Sequence, residues 1–380
     1  MSGFRIKALA ALAVVLWAVM PVQADARHEI QFPDIGADQQ AREARRYSEV
    51  LLPDTAEYRT LKCDFHEHTV FSDGQVWPTV RVEEAWREGL DAIALTDHIE
   101  YQPHKKDIPT NLNRSYELAA NLAAEKNILL VHGAEITRDT PPGHFNALFL
   151  TDAIPLDTKD FYEVFKQAAG QGAFVFWNHP GWKGAEKGKW GEWQTKLYES
   201  KQLQGIEICN GDEYYKDAHS WAIERGLTVV GNADIHEPSL GRDPTPEKHR
   251  TMTLVFAQEK TLDAVKEALL AKRTAVWCQN RLFGREEQLA PLFAACVRIS
   301  PPHHRDKDEV WVEMRNNCEM DLELSRDGAG SPANITLPAK STIIVKLPAP
   351  KEEEALPYRV TNWLTAPDKP LPVKLSIPGK

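Results

Sequence analysis

The sequence predicts an α/β fold: a barrel of alternating strands and helices, followed by a small antiparallel β-sandwich. From about residue 60 to residue 280, short and nearly continuous apolar runs alternate with amphipathic helical stretches. Such runs are typical of parallel strands covered by helices, and seven of them favour a closed barrel over an open sheet. After Arg281 the pattern changes to short alternating runs separated by turn residues, which indicates a sandwich.

The composition is that of a globular protein with ample apolar material for a core. The chain has 380 residues, of which 42% are hydrophobic and 26% are charged, and the length predicts two domains. The formal net charge of −10 argues against a broad basic surface, so no nucleic-acid partner is expected. An anionic substrate would need concentrated local positive charge, which bound metal ions can supply.

The N-terminus has the pattern of a signal peptide. Arg5 and Lys7 precede an apolar run that ends at Met20, and small residues at a cleavage-site spacing end at Ala24. The apolar run is too short to span a bilayer comfortably, so we expect a periplasmic or secreted protein without a membrane span after cleavage. The expected segments are a signal peptide, a lead-in, a catalytic barrel and a sandwich, at residues 1–24, 25–55, 56–284 and 285–380.

The elements of the barrel follow in order along the chain. The expected strands are RTLKCDF, DAIALTD, NILLVHGAEI, FNALFLT, GAFVFWNH, GIEICN and LTVVGNAD. The expected helices between them are TVRVEEAWREGL, RSYELAANLAAEK, DFYEVFKQAAGQ and AHSWAIERG. The segment RLFGREEQLAPLF has the pattern of a short helical connector to the sandwich.

Nearly every expected barrel strand ends in a side chain that binds metals. His66 and His68 end the first strand, and their spacing places both imidazoles on one side of an extended segment. The later strand ends supply Asp97, His98, Glu135, His144, His179, Glu207, Asp234 and His236. The carboxyl ends of parallel barrel strands meet on one face, where so many imidazoles and carboxylates require divalent cations. The sequence therefore predicts a multinuclear metal site.

Other polar residues have ordinary explanations. Asp73 in SDG is a turn former, and Asp97 is suited to capping the segment that follows it. His132 lies one pleat away from the ligand pattern, and we expect a structural role for it. The same expectation, of a structural or exposed position, holds for the histidines outside the barrel, which are His28, His303 and His304.

The motifs HEHTVFSDG, LTDH, GAEI, GHF, NHPGW and GNADIH, in this order, resemble those of the PHP family (polymerase and histidinol phosphatase). The resemblance covers roughly residues 60–280. It implies a distorted (β/α)7 barrel that binds two or three divalent metal ions (Zn, Mn or Fe) and hydrolyses phosphate esters. The ligands it implies are His66, His68, Asp73, His98, Glu135, His144, His179, Asp234 and His236, with Glu135 as the bridging carboxylate. Asn232 and Ala233 stand where members of the family often have Ser before the Asp.

The sandwich is similar to the C-terminal domain of exported bacterial PHP-type phosphodiesterases, on the segment RNNCEMDLELSRD and the domain order. The expected function is hydrolysis of a small-molecule phosphate diester by attack of a metal-bridging hydroxide. Three alternatives stay open. They are a phosphomonoesterase on the same scaffold, a secreted binding module with structural metals, and a C–N hydrolase of amidohydrolase type.

Further catalytic roles are assigned to residues near the motifs. Arg250 and Arg138 are candidates for a cation that neutralises developing charge, and an ordinary salt bridge is an equal alternative for Arg250. His249 is a candidate acid for the leaving group, and Asp97 a candidate orienter of a ligand rather than a ligand.

The loop FWNHPGWKGAEKGKWGEW is rich in tryptophan and lies on the expected catalytic face. Its tryptophans either receive an apolar or sugar-bearing alcohol group or pack against one another; they are Trp177, Trp182, Trp190 and Trp193.

Among the five cysteines, only Cys296 and Cys318 are a pair worth testing for a disulfide. The oligomeric state is left open.

Overall fold

The structure, a computed structural model, describes residues 51–108, 111–239, 248–349 and 355–378. The expected signal peptide and most of the lead-in segment lie outside these residues. The helices are α1 (Pro78–Arg87), α2 (Arg114–Glu125), α3 (Phe161–Gly170), α4 (Glu192–Glu199), α5 (Lys216–Arg225), α6 (Leu262–Leu270) and α7 (Glu286–Cys296), with a 3-10 turn at Ile154–Leu156. None of them combines the length and the apolar character that crossing a bilayer requires.

The strands fall into a barrel group and a C-terminal group. The first group comprises β1 (Arg59–Glu67), β2 (Ala92–Leu95), β3 (Leu129–Ile136), β4 (Phe145–Leu148), β5 (Phe174–Trp177), β6 (Gly205–Asn210), β7 (Glu213–Tyr214), β8 (Thr228–Asn232), β9 (Met252–Ala257), β10 (Thr274–Cys278) and β11 (Arg281–Gly284). The second comprises β12 (Val297–Ile299), β13 (His304–Arg305), β14 (Glu309–Asn316), β15 (Leu322–Arg326), β16 (Asn334–Leu337), β17 (Thr342–Pro348), β18 (Leu356–Ala366) and β19 (Lys369–Leu375).

The expected barrel is confirmed as a distorted ring of strands in the order β1, β2, β3, β4, β5, β6 and β8. The ring closes irregularly between β8 and β1. There, Glu67 forms an isolated parallel bridge with Ile235, and the His68 amide donates to the Ile235 carbonyl at 3.1 Å. The closure lies immediately beside the motif histidines, so two distant parts of the chain meet at the predicted site.

Strand β4 corrects the expectation of an all-parallel barrel, because it pairs antiparallel with both β3 and β5. Only residues 137–144 connect β3 to β4, which is too short for the crossover that parallel neighbours need. The start of β4 therefore lies at the barrel face where β3 and β5 end. This orientation brings His144, which immediately precedes β4, to the same face as the other motif residues.

The C-terminal domain is a sandwich of two antiparallel sheets, one with β15, β16, β18 and β19 and the other with β12, β13, β14 and β17. Its strands alternate buried and exposed residues, as in β14, because one face of each sheet covers the core and the other faces solvent. β18 also pairs in parallel with β11, which follows β9 and β10 at the edge of β1. The sandwich therefore covers an edge of the barrel sheet and shares its core.

All five cysteines are buried free thiols. Cys318 donates to Asn316 Oδ1 at 3.0 Å, so its thiol acts as a hydrogen-bond donor within the sandwich. The suggested Cys296–Cys318 disulfide is absent from the structure.

Candidate metal centre

The motif side chains converge at one end of the barrel, where the parallel strands finish. His66 is in β1 and Glu135 is in β3, while the remaining residues lie in the turns directly beyond strands or, for His144, directly before one. We call this group the metal cluster, and it comprises His66, His68, Asp73, His98, Glu135, His144, His179, Asp234 and His236.

Glu135 lies at the centre of the metal cluster and is fully buried. Its Oε2 is 2.7 Å from His98 Nδ1, and its Oε1 is 3.0 Å from His144 Nδ1. The other ring nitrogens around its two oxygens, at 3.4–3.7 Å, belong to His66, His68 and His179. The two oxygens of this carboxylate therefore contact different imidazoles, and the bridging role expected of Glu135 stays a prediction.

Asp234 faces Glu135 across the cluster. Its Oδ1 lies 2.9 Å from His68 Nε2 and 3.2 Å from His66 Nε2, and its Oδ2 lies 3.7 Å from His179 Nε2. Asp234 and His179 both have positive φ angles, of 52° and 26°. Non-glycine residues seldom adopt this conformation, and active sites are among the places where the surrounding structure maintains it.

Asp73 contacts histidines of the metal cluster through one carboxylate oxygen. Its Oδ1 is 3.1 Å from His236 Nε2, 3.4 Å from His98 Nε2 and 3.8 Å from His68 Nδ1. The turn residue of SDG therefore faces the histidines. Its carboxylate contributes to the cluster in addition to any role in the turn.

Four overlapping groups of these side chains each present ligand atoms within 4.8 Å of one another. The groups are His68, Asp73, His98 and His236; His66, His179 and Asp234; His66, His68 and Glu135; and His98, Glu135 and His144. Neighbouring groups share a histidine or Glu135, so the four groups form one continuous set of potential metal ligands. Imidazole and carboxylate together are typical ligands of Zn, Mn and Fe.

Six buried polar atoms of the metal cluster have no hydrogen-bond partner among the described residues. They are His66 Nε2, His68 Nε2, Asp73 Oδ1, Glu135 Oε2, His179 Nδ1 and Asp234 Oδ1. Apart from His179 Nδ1, each of them lies within 3.2 Å of a ring nitrogen or carboxylate oxygen of the metal cluster, without the alignment of a hydrogen bond. Each such atom costs about 1–3 kcal/mol when it stays unpaired, so this convergence fits divalent cations.

The charges of the cluster shift one another's protonation. Burial lowers the pKa of His98, but the neighbouring Glu135 and Asp73 outweigh it and raise the pKa to about 10. Burial raises the pKa of Glu135, but His98 and His66 hold it well below its usual range. Burial and the nearby His98 lower the pKa of His68 to about 4. The carboxylate and His68 are thus in the forms that bind metals, whereas an ion would have to displace the proton of His98.

Comparison with proteins of known structure decides the family. A two-domain protein from Bacteroides vulgatus, described as containing a predicted PHP-like metal-dependent phosphoesterase, is 43% identical to this chain. The match covers 87% of this chain and 99% of that chain, with a TM-score of 0.82. The chain belongs to the PHP-like metal-dependent phosphoesterases. The resemblance seen in the motifs is therefore confirmed.

Two further comparisons concern parts of the chain. Residues 297–376 match the model of the DUF5001 family, an Ig-like domain, in agreement with the sandwich. An uncharacterized protein from Methanocaldococcus jannaschii is 35% identical over 81 residues, or 21% of this chain. The matched region spans 36% of the length of that curated relative.

The histidines of the PHP-like centre are oriented by groups outside the metal cluster. Ser72 Oγ donates to Asp97 Oδ1 at 2.7 Å and lies 3.3 Å from His68 Nδ1. Asp97 also accepts from the amide and the hydroxyl of Thr69, at 2.7 and 2.8 Å. The contacts of Asp97 are therefore those of an orienting residue, and Ser72 directs Nε2 of His68 toward the cluster.

Glu207 orients two histidines in the same way. Its Oε1 is 3.4 Å from His66 Nδ1, and its Oε2 accepts from the His179 amide at 2.8 Å. His236 Nδ1 lies 2.8 Å from the Asp234 carbonyl, so its Nε2 is left facing Asp73. Glu207 thus supports two of the histidines. From its position at a strand end alone, it was expected to be a residue that can bind metals.

Buried asparagines of the site were not expected from the sequence. Asn178 donates to Glu135 Oε1 at 3.0 Å and to Asn146 Oδ1 at 2.8 Å. Asn232 donates to Glu207 Oε1 at 2.9 Å, and Asn210 lies between Glu207 and Asp234. Each asparagine lies close in sequence to a residue of the site, and this proximity was the signal that could have indicated its role.

The structure does not bring Arg250, His249 and Arg138 to the metal cluster, and their expected roles are corrected here. Arg250 donates to Asp64 at 3.0 Å, to Glu88 at 2.6 Å and to Glu67, so carboxylates surround its buried guanidinium. These contacts fit the alternative that Arg250 forms an ordinary salt bridge better than the role of a cation that contacts phosphate.

His249 is buried against Trp277, and its ring nitrogens lie 2.7 and 3.2 Å from the carbonyl oxygens of Arg250 and Gln279. Burial lowers its pKa, and its ring faces backbone groups rather than the cluster. Arg138 pairs with Glu100 at 2.9 Å and donates to the Thr158 carbonyl. These contacts leave both side chains committed elsewhere.

A second group of buried charges adjoins the metal cluster. We call it the arginine network, and it comprises Asp64, Glu67, Arg81, Glu84, Glu88 and Arg250. Arg81 is fully buried and donates to the carbonyls of His68, Ile235 and Glu237 at 2.9–3.0 Å. It therefore ties together the two loops that carry the ligands after β1 and β8.

Of the four tryptophans in or beside the loop, three pack within the protein and one lies beside the metal cluster. Trp177 is buried and stacks on Trp221, while Trp190 packs on Trp221 and Trp193 packs on Phe161, so these three build the loop. Trp182 is 46% exposed and its ring lies 5.4 Å from that of His144 and 5.6 Å from that of His179. It forms an aromatic wall of the centre.

A cavity of about 290 Å³ opens over the metal cluster. Beside the cluster, its wall is formed by Trp182, Asn210, Glu213 and Tyr215. Neither lysine nor arginine lines this cavity among the described residues. The positive charge for an anionic substrate would therefore come from bound metals.

The histidines expected to be structural or exposed have such positions where the structure describes them. His132 stacks on Tyr116 and its Nδ1 lies 3.0 Å from the Leu150 carbonyl, as expected for a structural residue. His303 and His304 are exposed, and His28 lies outside the described residues.

Proposed function

We propose that this protein is an exported phosphodiesterase that uses two or three divalent ions of Zn, Mn or Fe. The observation that carries the proposal is the set of overlapping ligand groups that share Glu135 and the flanking histidines. In hydrolysis, water oxygen forms a new bond to phosphorus, one ester P–O bond breaks, and the alcohol leaves with a proton. A phosphomonoester remains.

Bound metals would supply a hydroxide nucleophile at neutral pH and neutralise charge on the phosphoryl oxygens. The protein's own part is to hold the ligands in place. Glu135 and Asp234 would balance the charge of the ions, while Glu207 and Ser72 fix the direction of His66 and His68. Trp182 contributes an aromatic side to the cavity beside His144 and His179.

The lining of the cavity supports a diester rather than a monoester. A monoester dianion would bring a second negative charge into a cavity whose rim carries Glu213, and neither lysine nor arginine lines that cavity among the described residues. A diester carries one negative charge, and its second alcohol group requires space beyond the metals. The open side at Trp182 and Tyr215 offers that space.

The test compares an aryl phosphodiester with the matching phosphomonoester on purified, metal-loaded protein. We expect faster hydrolysis of the diester and at least two metal ions per chain by elemental analysis. His66→Ala should abolish hydrolysis and lower the metal content, whereas His304→Ala, an exposed histidine outside the centre, should change neither. Faster turnover of the monoester would overturn the choice of substrate, and fewer than two ions would overturn the metal assignment.

Export is proposed from residues 1–24 and has its own test. Expression of the full chain in a bacterium, followed by fractionation, should recover the protein outside the cytoplasm. N-terminal sequencing should begin after Ala24 or Ala26. A cytoplasmic protein with its N-terminus intact would contradict export without affecting the catalytic proposal.

A further inference from the structure

A second cavity adjoins the metal cavity. It has a volume of about 350 Å³ and shares Glu213 and Tyr215 with the metal cavity, so these two residues form a ridge between the two spaces. The metal cavity alone is at the small end of the range for ligand sites, about 300–1,000 Å³. A substrate larger than a simple alkyl phosphate therefore extends beyond it, and the second cavity is the adjoining space.

Close packing of the backbone builds the second cavity. A Cβ atom at Gly181 would lie 2.7 Å from Tyr215 Cδ1, so the loop rests directly against the tyrosine ring. A Cβ atom at Gly188 would lie 1.7 Å from the Pro180 carbonyl oxygen, and Gly184 has a φ of 95°. These glycines are required by the path of the loop, which holds the cavity open beside the metal centre.

The second cavity is lined mainly by aromatic and acidic side chains and by the loop backbone. Tyr214, Tyr215 and Trp221 contribute aromatic rings, and Glu213 and Asp217 contribute carboxylates. Lys216 also lines the cavity, but its Nζ is paired with the carboxylate of Asp368 at 2.8 and 3.1 Å. Its charge is therefore offset, and the lining is acidic on balance.

These features match a hydroxyl-rich, uncharged group. Aromatic faces pack against the C–H surfaces of a sugar or polyol, and carboxylates and glycine backbone groups accept hydrogen bonds from hydroxyls. A second anion would meet Glu213 and Asp217 and would be repelled. We infer that the second cavity binds a sugar or polyol esterified to the phosphate, so the substrate class is a glycosyl or polyol phosphodiester.

This inference rests on the proposed phosphodiesterase function and deepens it. The test uses two 4-nitrophenyl phosphodiesters that differ only in the second alcohol, which is methanol in one and the 6-hydroxyl of glucose in the other. Both release 4-nitrophenol, so a difference in kcat/KM reports how the second alcohol is bound. We expect the glucose ester to be preferred by about ten-fold or more.

Two variants locate the effect. Ala185→Trp fills the second cavity from an exposed position of the loop, and it should lower kcat/KM for the glucose ester by about ten-fold while the methyl ester changes less than about two-fold. Lys187→Trp places the same side chain at an exposed loop position that does not line the cavity, and both esters should react as with the wild type.

The possible outcomes are distinct. Hydrolysis of the methyl ester without a preference for glucose, or an equal loss of both activities in Ala185→Trp, overturns the sugar assignment but leaves the phosphodiesterase intact. A stronger preference for the corresponding choline or glucuronate ester also overturns it, in favour of a cationic or anionic group. Failure to hydrolyse either original diester overturns the proposed function and the inference together.

Discussion

The metal cluster and the arginine network are neighbouring groups of buried charge with different means of neutralisation. In the arginine network, the guanidinium groups of Arg81 and Arg250 lie among the carboxylates. Their N–H groups donate to carboxylate or carbonyl oxygens at 2.6–3.1 Å. Arg250 also forms a close pair with Glu67 and a longer contact with the Ser239 hydroxyl. In the metal cluster, six buried atoms lack such partners.

The difference separates structural from functional charge. In the arginine network, every carboxylate oxygen except the buried Glu67 Oε2 accepts a hydrogen bond from another group of the protein. Imidazoles and carboxylates that converge without partners require an external cation. Both groups contain buried carboxylates, but the carboxylates meet arginines in the arginine network and histidines in the metal cluster.

The largest expected effect is that of Glu135→Gln in the metal cluster. Removal of the central charge should lower metal content and reduce diester hydrolysis by more than about 100-fold, because changes at groups that only orient ligands already cost about 10–100-fold. Elemental analysis and kcat/KM measure the two effects. Glu186→Gln, at an exposed position in the tryptophan loop, is the matched control. Retention of metals and activity would show that Glu135 is not a ligand.

Arg250→Met tests the arginine network. The variant leaves Asp64, Glu67 and Glu88 buried without their cation, and we expect the free energy of unfolding to fall by about 3–5 kcal/mol. Urea unfolding of the full chain measures this. Arg359→Met breaks an exposed pair with Asp327 and should cost about 1 kcal/mol or less. A stable Arg250→Met protein that has lost only its activity would restore the catalytic role.

Arg81→Lys tests whether the two groups are coupled. Lysine keeps the positive charge but cannot donate to three carbonyls in a fixed fork. We therefore expect the affinity for metals to fall by up to about 100-fold, through displacement of the loops that carry His68 and His236. Competition with a chelator measures the affinity. If unfolding stability falls while affinity is retained, Arg81 has a structural role alone.

Asp97→Asn should have the smallest effect. Both carboxylate oxygens of Asp97 accept hydrogen bonds from Thr69 or Ser72. In asparagine the amide oxygen can still accept, but the amide nitrogen can only donate. Looser orientation of His68 should weaken metal binding by about ten-fold, with little change in kcat once the site is saturated. Asp308→Asn, in an exposed turn of the sandwich, is the control. A complete loss of metals in Asp97→Asn would instead indicate direct ligation.

The sequence by itself determined the elements and the chemistry of the site. Apolar runs predicted the barrel strands, and the alternation of β14 and its neighbours predicted the sandwich, because each pattern depends on which faces of a strand are buried. Strand ends such as His66, Glu135 and Asp234 predicted a metal site, because strands of a barrel deliver their ends to one face.

Only the tertiary structure decided which partner each polar side chain meets. Arg250 and Asp64 are separated by 186 positions, and their pairing depends on the closure of the ring and on the strands beside β1. The direction of β4 and the pairing of β11 with β18 likewise depend on long-range contacts. Local patterns report burial, which periodicity encodes. Whether a buried charge is paired by the protein or left for a metal is a property of the folded chain.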